Sequence, residues 1–257
     1  MCVEYMVSAA TDIGTTKDSN QDSFGVKVMS THIGNVVVAI MCDGMGGYDK
    51  GEVASATVVD TFNKWMLNRF PMLQTNTFTE KIVINEWAVL ARECNERINK
   101  YGVDNGIDIG TTATVMMITE NRYIIMNIGD SRAYEIQKET GLLTKDQTLV
   151  AREVERGMLT EEEAKTDKRR SILLQCIGAG DSVEPEFFVG NTKKNAVYLL
   201  CSDGFRHEIT PEEIKKNLGP DILNNPYIME NNLKMLIEIN KQRNETDNIS
   251  AIVIKTY

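Results

Sequence analysis

VVVAIMC, residues Val36 to Cys42, followed at once by Asp43-Gly44, is the longest apolar run in the chain. It is rich in Val and bounded by Asn and Gly, which reads as a strand. It is also far shorter than the ~18–20 residues a membrane helix needs. Similar segments precede it at Val3–Ala10 and Phe24–Met29. After it, Val53, Ala56, Val59, Phe62 and Met66 recur at steps of three and four, which predicts a helix over Glu52–Phe70 that Pro71 stops. A second helix is expected from Thr79 to Tyr101, carrying Ile82, Trp87, Val89, Leu90 and Cys94, and Gly102–Gly110 reads as a loop. Strand-like segments return at Thr112–Thr119, Tyr123–Ile128, Ala133–Ile136, Val183–Val189 and Val197–Cys201. Helices over Pro211–Asn217 and Tyr227–Lys241 lead into a last strand, Ile249–Lys255. Long helices do not alternate strictly with strands, so the pattern predicts an α+β layered protein, with two helix-covered sheets in one domain over residues 1–257.

Composition narrows the chemistry. The 257 residues are 42% hydrophobic and 25% charged, as in an ordinary globular protein. The formal net charge of −9 argues against affinity gained by neutralising nucleic-acid phosphates, so no nucleic-acid partner is expected. No membrane association is expected either, because there is neither a signal peptide nor a spanning segment. Five cysteines (Cys2, Cys42, Cys94, Cys176, Cys201) with no CxxC pair fit reduced thiols and a cytoplasmic protein. Cys42 and Cys201 belong to apolar strands and read as packing residues. The only histidines are His32 and His207, too few for a Cys/His zinc site or an HExxH hydrolase.

Aspartate is what remains. Asp43, Asp130 and Asp203 each follow an apolar strand, Asp247 immediately precedes the last one, and Asp22 sits between the first two. Any one Asp-Gly after a strand is an ordinary turn signal. Several together can converge carboxylates at one edge of a pair of sheets, where they repel unless protonated or neutralised by cations. Hard oxygen donors of this kind suit Mg2+ or Mn2+.

The motifs DIGTTKDSNQDS (12–23), CDGMGG (42–47), GTTATV (110–115), IGDSRAY (128–134), CSDGF (201–205) and TDNIS (246–250) together resemble the PPM family. These are the metal-dependent, type 2C protein serine/threonine phosphatases, here in compact bacterial form. The resemblance runs over nearly the whole chain. It implies a four-layer α-β-β-α sandwich of two antiparallel sheets flanked by helices, with metals at one end. It further implies that phosphoserine and phosphothreonine proteins are hydrolysed by water activated by two ions of Mn2+ or Mg2+, with a possible third. By carry-over Asp43 bridges the two metals, the Gly44 carbonyl ligates the second, and Asp203 and Asp247 hold the first. Asp22 holds metal-bound water behind them, and Asp130 with Asp203 serves the third ion. The charged stretch from about 147 to 170 corresponds to the family's substrate-side flap, and a cognate Ser/Thr kinase is the partner implied.

The chain departs from the family pattern at three positions. The usual phosphate-clamping Arg is Lys17, which attracts phosphate as a point charge without a bidentate fork. Gln21 replaces a Glu before Asp22, and Met45 stands where many eukaryotic members carry a His thought to act as general acid. His207 is a substitute acid or a plain surface histidine in a turn. Two other readings compete. Asp12-Ile-Gly-Thr-Thr resembles the phosphate loop of the actin and sugar-kinase ATPases, but no second loop follows and Asp130, Asp203 and Asp247 go unexplained. A catalytically silent phosphatase-like module that binds phosphoproteins is the alternative within the family, with Lys17 in its favour.

Overall fold

The computed structural model describes residues 4–31, 33–46, 50–73 and 79–257; Cys2, Val3, His32 and Gly47 of the motifs and residues above lie outside them. Strands β1 (Tyr5–Asp12), β2 (Asp22–Thr31) and β3 (Gly34–Gly46) lead into helix α1 (Gly51–Lys64). A single π turn (Trp65–Arg69) continues through the short α2 (Phe70–Leu73). Pro71 therefore does not end the helix at Phe70. Proline lacks the N–H for an i−4 bond and crowds that carbonyl, and the upstream π turn, closed by Phe70 N–H on the Trp65 carbonyl, widens the helix there.

Helix α3 (Glu80–Asn105) starts on the Thr79 side-chain cap and ends on Gly106 in the left-handed conformation. The first four residues of the expected 102–110 loop are thus helical. Strands β4 (Ile109–Thr111), β5 (Ala113–Ile118), β6 (Arg122–Ile128), β7 (Arg132–Ile136) and β8 (Thr140–Leu142) follow. Short α4 (Leu149–Glu155) and α5 (Glu161–Thr166) occupy the charged stretch. Then come β9 (Glu186–Asn191), three residues later than Val183 suggested, β10 (Val197–Cys201), and the single turn α6 (Asp203–Arg206). Helices α7 (Pro211–Leu218) and α8 (Pro226–Gln242) precede β11 (Ile249–Thr256).

Two antiparallel sheets face each other, one ordered β1-β11-β10-β7-β8 and the other β2-β3-β5-β6-β9, with β4 on the far end of β3. Strand alternation explains the apolar run of β3. Val36, Val38, Ile40 and Cys42 pack with Phe62 of α1 and Trp87 of α3, while Val37, Ala39 and Met41 pack with Tyr198, Leu200 and Ile252 of the opposite sheet. The other sheet mirrors this, with Leu199, Cys201 and Val253 under Leu233 and Leu236 of α8. The result is the α-β-β-α layering expected.

Candidate metal centre

The acids meet where β3 changes partner. Its register with β5 runs to Met41 opposite Thr114, and its register with β4 starts at Gly44 opposite Thr111. Asp43 sits at the junction. Thr112 N donates to its carbonyl at 2.9 Å, and Asp43 N donates to Thr112 Oγ1 at 2.9 Å. Asp43 is therefore inside a strand and not in a turn after one. On its other side Asp22, the first residue of β2, pairs directly with Asp43.

Gly44 closes the corner. Its N donates to the Gln21 carbonyl at 3.1 Å, and a Cβ there would lie 2.3 Å from the Gly51 carbonyl oxygen at the start of α1. Only glycine lets β3 pass this close.

The opposite sheet supplies Asp203 and Asp247. Asp203 opens α6, and a Cβ on Gly204 would stand 3.3 Å from the Asp247 Cβ, so the two loops are in contact. Ser202 Oγ donates to Asp22 Oδ2 at 2.9 Å and ties the sheets together behind the acids. Asp247 takes the Lys17 ammonium at 2.8 Å. Asp130 lies after β6, buried, against Arg206 Nη2 at 3.4 Å. All seven sequence-selected residues fall at this one end of the sandwich.

Several contributors were not anticipated. Asp146 holds Arg132 by two 2.7 Å hydrogen bonds and also faces Arg206. Arg206 stands three residues after Asp203 in one helical turn, a spacing that could have flagged it. His207 is not a plain surface residue: its ring lies between Asp203 and Glu245.

Electrostatics follow from the crowding. Withdrawal from water, together with Asp22, Asp203, Asp130 and Asp247, pushes the Asp43 carboxyl well above its usual range. Burial raises Asp22 to about 7 against hydrogen bonds from Ser250 and Ser202, with Asp203 adding to the rise. Asp130 also rises to about 7, through burial and Asp203, with Arg206 opposing. Asp146 goes the other way: burial would raise it, but Arg206 and Arg132 outweigh that and hold it low. Burial lowers Lys17, yet Asp247, Asp43 and Asp203 more than compensate and leave its pKa raised.

Among the described residues no three acid, imidazole or thiol groups already form a finished metal cage. Lys17 holds one of the acids, Asp247, in an ion pair. The donor set still fits a hard divalent cation. Asp22 Oδ1 and Asp203 Oδ1 are buried without a hydrogen-bond partner, and the surrounding groups are carboxylates.

A profile of the family described as Protein phosphatase 2C matches residues 14–237. The chain belongs to the protein phosphatase 2C family. It is an enzyme of the serine/threonine phosphatase class. Similar proteins include protein phosphatase PhpP of Streptococcus pneumoniae, 31% identical over 252 residues and 96% of each chain. The Streptococcus agalactiae serine/threonine phosphatase structure superimposes with a TM-score of 0.81 at 29% identity, covering 98% of this chain and 99% of that one. A second neighbour, the catalytic domain of the serine threonine protein phosphatase PstP in complex with two manganese ions, gives a TM-score of 0.76 at 27% identity over 99% of each chain.

Proposed function

We propose that this phosphatase hydrolyses phosphoserine and phosphothreonine in proteins with the help of two divalent cations, Mn2+ or Mg2+. The single observation that carries the reading is the meeting of Asp22, Asp43, Asp203 and Asp247 from two sheets, where burial first and neighbouring acids second push Asp22 to about 7 and Asp43 well above its usual range. Such repulsion is unfavourable unless a cation relieves it. Asp43, the Gly44 carbonyl, Asp203 and Asp247 would hold the pair, with Asp22 behind them, and Asp130 with Asp203 would serve a third ion. When bound, such ions neutralise the acids, acidify water and offset charge on a phosphoryl group.

The chain's own groups do the rest. Lys17 sits at the mouth on Asp247, half-exposed, where its ammonium attracts a phosphate dianion. Arg206 and Arg132 hold Asp130 and Asp146 in place. Residues 147–170 act as the substrate-side flap of a single catalytic domain. Gln147 ties the base of that flap to the Asp130 loop, through its N–H on the Gly129 carbonyl and its Oε1 on Gly129 N.

Four buried free cysteines suit a reducing, cytoplasmic setting, and among the described residues no helix is long and apolar enough to cross a membrane. The partners are phosphoproteins, with a cognate Ser/Thr kinase acting in opposition.

The test is phosphate release from a phosphothreonine peptide in Mn2+ and in excess EDTA. Release should appear with Mn2+, vanish with chelator, and be lost in Asp43→Asn while the circular dichroism stays native. A folded protein inactive in both conditions would sink the proposal.

A further inference from the structure

Beside the acids, Glu245 and His207 form a part-buried pair. Glu245 is 5% exposed at its side chain, and its Oε1 accepts two backbone hydrogen bonds, from Thr246 N at 2.7 Å and Asp247 N at 2.9 Å. Its Oε2 stands 3.1 Å from His207 Nδ1. The far side of that ring, Nε2, lies 3.4 Å from Asp203 Oδ2. One carboxylate thus reaches both acids of the second sheet: Asp247 through its backbone, Asp203 through an imidazole.

We propose that Glu245 and His207 form a positioning relay that sets Asp203 and Asp247 in the posture a divalent cation requires. Glu245 serves both acids, and His207 serves Asp203 alone. The inference rests on the two-cation reading above. It assigns no proton transfer to either residue.

Carboxylate ligands are directional, and loss of the groups that orient them typically lowers metal affinity by ~10–100-fold. The loop needs such a hold, because Asp247 is otherwise drawn toward Lys17 at 2.8 Å. Glutamine at 245 should preserve the geometry. Its amide oxygen can take the two backbone N–H groups, its amide nitrogen can donate to Nδ1, and the ring then presents Nε2–H to Asp203. Alanine preserves none of it.

The experiment is calorimetric titration of Mn2+ into metal-free wild type, His207→Ala, Glu245→Ala, Glu245→Gln and the double alanine variant, with thermal melts of each metal-free protein. Expected is a loss of ~10-fold in Mn2+ affinity for His207→Ala and up to ~100-fold for Glu245→Ala. Glu245→Gln should bind close to wild type. The double variant should bind no more weakly than Glu245→Ala, since a relay is not additive. Wild-type affinity in both alanine variants would overturn the relay, as would a Glu245→Gln as weak as Glu245→Ala. Wild type that takes up no Mn2+ would instead bring down the two-cation reading, and the relay with it. If Glu245→Ala fails to fold, His207→Ala and Glu245→Gln carry the same contrast.

Discussion

At the scale of single residues, the phosphate-attracting role proposed for Lys17 turns on its ion pair with Asp247. Their side chains are 42% and 36% exposed, so the ion pair adds little to folding. Its value lies in where it keeps the ammonium. A hydrogen bond to a charged group contributes about 1.5–3 kcal/mol, so Lys17→Ala should raise KM for a phosphothreonine peptide by about ten- to a hundredfold. Its kcat should change far less, as expected for uniform binding. Steady-state kinetics at saturating Mn2+ would check this, and an unchanged KM would remove the role.

At the scale of elements, Gly102 tests how α3 closes against the loop after it. A helix-interior Gly→Ala exchange ordinarily stabilises by up to ~1 kcal/mol. Here the new Cβ would lie 2.7 Å from the Ile107 carbonyl oxygen, a backbone atom that cannot swing aside as a flexible side chain would. Gly102→Ala should therefore lower the urea midpoint, by an overpacking cost of about 1–3 kcal/mol.

The same residue marks a limit of sequence reading. Gly102 and Gly106 look alike as loop formers, but only Gly106 needs positive φ, while Gly102 is small because the returning chain touches it. Strands β3, β10 and β11 were legible because they are buried on both faces. Strand β8, three residues with two exposed, carried no such signal. The five acids stood out through repeated strand-and-Asp context. Asp146 and Glu245 did not, since neither follows an apolar strand and their contacts with Arg206 and His207 span 60 and 38 positions; Arg206 had only its spacing from Asp203 to mark it.

At the scale of the whole molecule, the acid cluster ties stability to pH and to cations. Asp22 and Asp130 titrate near 7 in the metal-free fold, against ~3.9 in an unfolded chain. Between those values the native state binds protons that the unfolded chain has released, so stability falls as pH rises from about 4 to 7. In EDTA the melting temperature should be lower at pH 7.5 than at pH 5.5. Each ~1 kcal/mol corresponds to about 2–4 °C in a chain of this size. Mn2+ at pH 7.5 should reverse the loss. A chelated protein more stable at pH 7.5 would contradict the crowding argument.

The seat of β11 between β1 and β10 has a consequence for the order in which the protein is made. The sheet carrying β2, β3, β5, β6 and β9 uses only residues up to Asn191 and is free to form during synthesis. The other sheet stays split, with β1 stranded from β10, until residues 249–256 arrive to bridge them. Asp247 travels just ahead of that strand, so the acid cluster completes only as the last sheet zips shut. A nascent chain therefore carries its first acids without a finished site until residues 249–256 have emerged. Pulse-labelled translation intermediates stalled before residue 249 should resist proteolysis in the first sheet alone and show no Mn2+-dependent phosphatase activity.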